Sequence, residues 1–73
     1  MNRTAYEIYR AIKSYMNKEG KSPSMKDLSL MVNKNTGTIF YNLKKLRKSG
    51  YIDYQDKEAR SIKILKDFII TYE

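Results

Sequence analysis

The chain has 73 residues, with 15 lysines and arginines against 8 acids and no histidine, a net charge of +7 and an isoelectric point of about 9.7. At this length folding buries only about 60% of the extended-chain surface, which excludes a second domain or a large substrate cleft. Cysteine is absent, so no disulfide framework or thiolate metal site can staple the fold. Apolar runs reach only three residues, as in Leu30-Met31-Val32, too short for a membrane span, and residues 1–20 carry no signal-like apolar core. The expectation is a cytoplasmic protein, of a bacterium or of a virus in its host cell.

In chain order, Thr4 with Glu7 three residues later has the spacing of a capping box, in which each side chain satisfies a backbone donor that the first helical turn leaves free. A first helix is predicted over about 5–18, with Ile8, Ile12 and Tyr15 on its apolar face and Gly20 as its left-handed stop. Ser22-Pro23-Ser24 is a turn, and Ser24 with Asp27 repeats the capping-box spacing, so a second helix starts near Met25 with Leu28, Met31 and Val32 facing inward. Asn35 or Thr36 caps a third helix that buries Ile39, Leu43 and Leu46 and ends at Ser49-Gly50. After Gly50 the apolar period changes to two: Ile52 and Tyr54, then Ile62 and Ile64, form a hairpin around the polar tip Asp56-Lys57-Glu58-Ala59. The fold class is mainly α with a small antiparallel β-hairpin, a winged helix-turn-helix over residues 1–65. Residues 66–73 form a short apolar tail in which Phe68, Ile69, Ile70 and Tyr72 are candidates for a dimer contact or for packing back on the first helix.

Charge is unevenly placed. No acid lies between Asp27 and Asp53, while Lys34, Lys44, Lys45, Arg47 and Lys48 all fall there, as expected of a surface that neutralises a polyanion. At 100° per residue from Thr36, Leu46, Ile39 and Leu43 lie at about 280° to 340°, whereas Lys44, Gly37, Lys48 and Tyr41 lie at about 80° to 140° with Phe40 at the edge. That outward stripe suits the major groove of double-stranded DNA. Asn35, Thr36 and Thr38 offer short polar side chains beside the helix start, and Gly37 leaves room for close backbone approach. Lys44, Lys45 and Lys48 suit phosphates. Tyr41 and Phe40 suit thymine methyls, Phe40 having an alternative place under the wing. Lys57 and Arg60 flank the wing tip and could reach DNA beside the helix.

Catalysis has little to stand on. Histidine and cysteine are absent, and there is no paired-carboxylate site, phosphate loop or metal-ligand spacing, so the expectation is no enzyme, no catalytic residue, no metal and no cofactor.

The string TAYEIYRAIKSYMNKEGKSPSMKDL resembles the first part of the DNA-binding domain of the LexA repressors. LKKLRKSGYIDY and ARSIKIL resemble the end of that family's recognition helix and its wing, so the resemblance spans about residues 4–65. It implies that Asn35, Gly37, Thr38, Phe40 and Tyr41 occupy base-reading positions, and because Gly37, Phe40 and Tyr41 are not the family's usual readers it implies a different cognate site. The family's peptidase and dimerisation half lies outside these residues. A lone module of this kind must dimerise, borrow a partner or bind weakly, and it fits a regulator encoded by a phage or mobile element. The leading expectation is thus a small sequence-specific, repressor-like transcription regulator binding double-stranded DNA, with a homodimer as one arrangement. The alternatives are a winged-helix interaction module acting on a host polymerase or regulatory protein, and a non-specific DNA-binding protein.

Overall fold

A computed structural model describes residues 2–67. The candidate dimer residues Phe68, Ile69, Ile70 and Tyr72 lie outside the described residues. Three helices, α1 (Arg3–Glu19), α2 (Met25–Val32) and α3 (Thr36–Lys48), are followed by two short strands, β1 (Ile52–Asp53) and β2 (Lys63–Ile64), paired antiparallel with Ile52 opposite Ile64 and Asp53 opposite Lys63. Mainly helical with one small antiparallel hairpin, this is a winged helix-turn-helix.

The first helix starts earlier than its sequence pattern predicts. Asn2, not Thr4, is the cap: its side chain accepts the Ala5 N–H at 2.8 Å, and Thr4 lies inside the first turn. Asparagine and threonine are both good caps, and Glu7, the expected partner of Thr4, instead meets Arg3 at 3.4 Å. The second helix begins as read, with the full capping box between Ser24 and Asp27. It ends at Asn33, which takes the left-handed conformation at φ 56° that asparagine tolerates better than most side chains.

Ile8 and Ile12 of α1, Leu28 of α2, Ile39, Leu43 and Leu46 of α3 and Ile52, Tyr54 and Ile62 of the wing form one buried cluster. Because α2 spans barely two turns, it is held by this packing and its caps rather than by intrinsic helicity.

The hairpin is shorter than the alternation of Ile52, Tyr54, Ile62 and Ile64 predicts. Tyr54 and Ile62 are buried but lie outside the ladder. Side chains take over its hydrogen bonds: Asp53 accepts the Tyr54 N–H at 2.8 Å, and the Ser61 hydroxyl accepts from the Gln55 N–H at 2.8 Å while facing the carbonyls of Gln55 and Glu58. The backbone donors are satisfied without strand pairing, so the apolar period survives while the strands do not extend. Beyond β2 the chain returns to α1, where the Tyr9 hydroxyl donates to the Lys66 carbonyl at 2.9 Å and Lys13 meets Asp67 at 3.2 Å.

Candidate nucleic-acid interface

The start of α3 is built around Asn35, whose side-chain oxygen accepts the Thr38 N–H at 2.8 Å. Gly37 protects that cap. A Cβ at Gly37 would lie 3.3 Å from the Asn35 oxygen, so the glycine has a local steric reason beside the open approach inferred from sequence. Thr36 and Gly37 are exposed and Thr38 is half-buried.

Along the outward side of α3, Phe40 is 43% and Tyr41 60% exposed. One turn further on, the Lys44 ammonium sits 5.4 Å from the Phe40 ring centre and that of Lys45 5.2 Å from the Tyr41 ring centre, distances at which a cation is drawn to the ring face. Tyr41, Lys44, Lys45, Arg47 and Lys48 line a hollow of about 380 Å³. Three unpaired lysines and one phenol around a hollow suit a phosphate, Arg47 being paired with Asp56. Phe40 also lines a second crevice, of about 420 Å³, with Met25, Leu43 and the wing residues Tyr54, Ala59 and Ile62. Phe40 therefore borders wing and solvent together.

Asn42 was missed by the sequence reading. It is only 3% exposed and donates from its amide to the Thr38 carbonyl at 2.9 Å. Its helical angle of about 240° adjoins the buried arc, which was the signal available.

The wing is attached by two arginines. Arg47 of α3 donates to the Tyr54 carbonyl at 3.3 Å and to Asp56 at 3.1 Å, and its guanidinium stacks 4.1 Å from the Tyr54 ring centre. Arg60, placed by sequence as a DNA contact beside the wing tip, is turned toward α1 and α2 with its side chain still 41% exposed. Its Nη1 donates to Asp27 at 2.8 Å, to the Tyr15 hydroxyl at 3.0 Å and to the Ser22 carbonyl at 3.1 Å. With its two N–H bonds shared among a carboxylate, a phenol and a carbonyl, this nitrogen joins wing, α1 and α2. Ser22 completes the joint: its hydroxyl accepts the Ile62 N–H at 3.0 Å and donates to the Pro23 carbonyl at 2.9 Å. Lys57 remains exposed at the tip.

The Ser24 backbone N–H, with further help from the Ser24 hydroxyl and Arg60, holds the Asp27 carboxyl below the ordinary value of 3.8, against a smaller opposing effect of desolvation. The hydrogen bond to Tyr15, aided by Asp27, raises Arg60. Burial raises the Tyr54 phenol.

Among the described residues no cluster of side chains could hold a metal ion, and no helix is long and apolar enough to cross a membrane. The family model of the LexA DNA binding domain matches residues 2–61. No curated protein matches the chain.

Proposed function

The chain belongs to the LexA DNA-binding domain family, and from that premise we propose that it is a small sequence-specific, repressor-like regulator of transcription that reads the major groove with α3. The observation that carries this reading is the outward side of α3. Phe40, Tyr41, Lys44 and Lys48 are exposed there, no acid interrupts them, and Lys44, Lys45 and Lys48 have no carboxylate partner among the described residues.

In this arrangement Asn35, Thr36 and Thr38, at the positively polarised start of the helix, meet phosphates or base edges. Gly37 lets the backbone approach, Phe40 and Tyr41 face base edges, and Lys44, Lys45 and Lys48 fix the register on the phosphates. Lys57 reaches the backbone from the wing. Arg60 acts mainly by holding the wing in place. The protein works where DNA is accessible, in the cytoplasm of a bacterium, and one module covers a single half-site, so two copies bind an inverted repeat.

The test is selection of duplexes from a randomised pool at two salt concentrations. Enrichment of a motif supports the reading, and an inverted repeat within it supports a dimer. Retention without a motif leaves only electrostatic binding. Loss of retention even at low salt points to the alternative of a protein-binding module, which the exposure of Leu30 and Met31 on α2 would serve.

A further inference from the structure

We infer that Phe40 and Tyr41 are specificity-determining residues that select duplexes by the 5-methyl groups of thymine. The inference rests on the DNA-binding reading above and names the feature of the target that α3 recognises.

The fold engages the polar side chains of α3 best suited to reading bases. Guanine is read most sharply by the arginine fork, and adenine by an asparagine or glutamine offering carbonyl and amide together. Arg47, the arginine of α3, is directed to the Tyr54 carbonyl and Asp56 and stacked on Tyr54. Asn42 is buried against the Thr38 carbonyl. Asn35 has its oxygen engaged by the Thr38 N–H, which fixes its amide as the helix cap and leaves one lone pair and the NH2 for other partners. No glutamine or acid occurs in α3, so no carboxylate there accepts from the cytosine amino group, and only the hydroxyls of Thr36, Thr38 and Tyr41 remain as side-chain acceptors on its outward side.

Beside these short hydroxyls, the outward side carries lysines and two rings. Lysine is a point charge on a flexible stem and suits phosphates from many directions, so it discriminates bases weakly. The rings of Phe40 and Tyr41 are large, adjacent in sequence and exposed to 43% and 60%. Such apolar area gains from a base edge chiefly where that edge is apolar, and in the major groove that is the thymine methyl. Lys44 and Lys45, stacked over these rings, favour their present orientation and carry charge toward the neighbouring phosphates.

The experiment takes the motif selected by the protein and replaces its thymines by uracil one at a time, which removes the methyl and leaves base pairing intact. Affinity is read by fluorescence anisotropy at fixed salt. At one or two positions uracil should weaken binding about fourfold, the value of one buried methyl group. Tyr41→Ala or Phe40→Ala should weaken the thymine duplex and abolish the difference between thymine and uracil at its own position. Phe40→Leu, which keeps apolar bulk, should retain part of that difference, and circular dichroism checks that each variant remains helical. Tolerance of uracil at every position, or a uracil penalty that persists in both alanine variants, overturns the inference while leaving sequence-specific binding intact. A pool that yields no motif removes the inference together with the reading beneath it.

Discussion

On the outward side of α3, Lys44, Lys45 and Lys48 lean on aromatic rings or stand in solvent, and no carboxylate of the described residues pairs with them. At the wing, Arg60 is bound to Asp27, and Arg47 reaches across from α3 to Asp56. Both regions are basic in sequence, yet the first keeps all three of its lysines available to a polyanion, whereas at the wing both arginines are paired within the chain and Lys57 is left exposed. Counting cations therefore overstates the wing. What separates the two regions is whether the chain itself supplies an acceptor, and the acid-free stretch from residue 28 to 52 ensures that α3 has none nearby in sequence.

The sharpest way to break this contrast is to change Lys44, Lys45 and Lys48 together to Ala. Affinity for DNA should fall roughly a hundred- to a thousandfold near 0.1 M salt, and the slope of log affinity against log salt should drop by about 3. If titrations across salt show an unchanged slope, these lysines do not meet phosphates. On the wing side, Ser22→Ala leaves the buried Ile62 N–H without its acceptor, so denaturant unfolding should show a loss of about 1–3 kcal/mol, with the salt slope of DNA binding preserved.

Arg60→Ala should lower the melting temperature, again with little change in salt slope, and its effect should overlap with that of Asp27→Asn rather than add to it. A slope that drops by about one for Arg60→Ala would instead make it a phosphate contact. Acid sharpens the same joint. Asp27 has a depressed carboxyl, so its contribution is present above the ordinary value of 3.8 and is lost as pH falls through the lower folded-state value. Acid titration of stability should show that component in the parent and lack it in Asp27→Asn. The smallest effect belongs to Gly37→Ala. The gain of about 1 kcal/mol from helix propensity opposes strain on the Asn35 cap worth about the same, so thermal unfolding should move little. A loss of cognate binding in that variant would then report close backbone approach to the duplex.

The helices were legible because their signals are local. Pro23, Gly20 and Gly50 punctuate the chain, and the pair Ser24 and Asp27 forms the cap that its spacing announces. The start of α1 was misread because Asn2 and Thr4 are both competent caps within one turn, and local sequence does not rank them. The wing was half legible. Its apolar alternation correctly marks Ile52, Tyr54 and Ile62 as buried, but the side chains of Asp53 and Ser61 intercept the backbone groups that would have extended the ladder. The turn of Arg60 toward α1 and α2 had no sequence signal at all, since its partners Tyr15, Ser22 and Asp27 lie 33 to 45 residues away. At the interface, the outward stripe and the Asn35 cap follow from local helical geometry, whereas the engagement of Arg47 by Tyr54 and Asp56 depends on the wing folding beside α3.

The Ser22 joint also sets an order of assembly. Each helix closes through contacts within a few residues, while the hydrogen bond from Ile62 to Ser22 spans 40 residues and that from Arg60 to Ser22 spans 38. Closing so long a loop is entropically slow and is repaid only once the helices already stand. The wing is then expected to form last and detach first, with an opening free energy below that of the whole domain. The Ile62 amide, held by a single serine hydroxyl, is the natural hydrogen-exchange reporter of that local opening, separate from the slower exchange of amides in the core of α3.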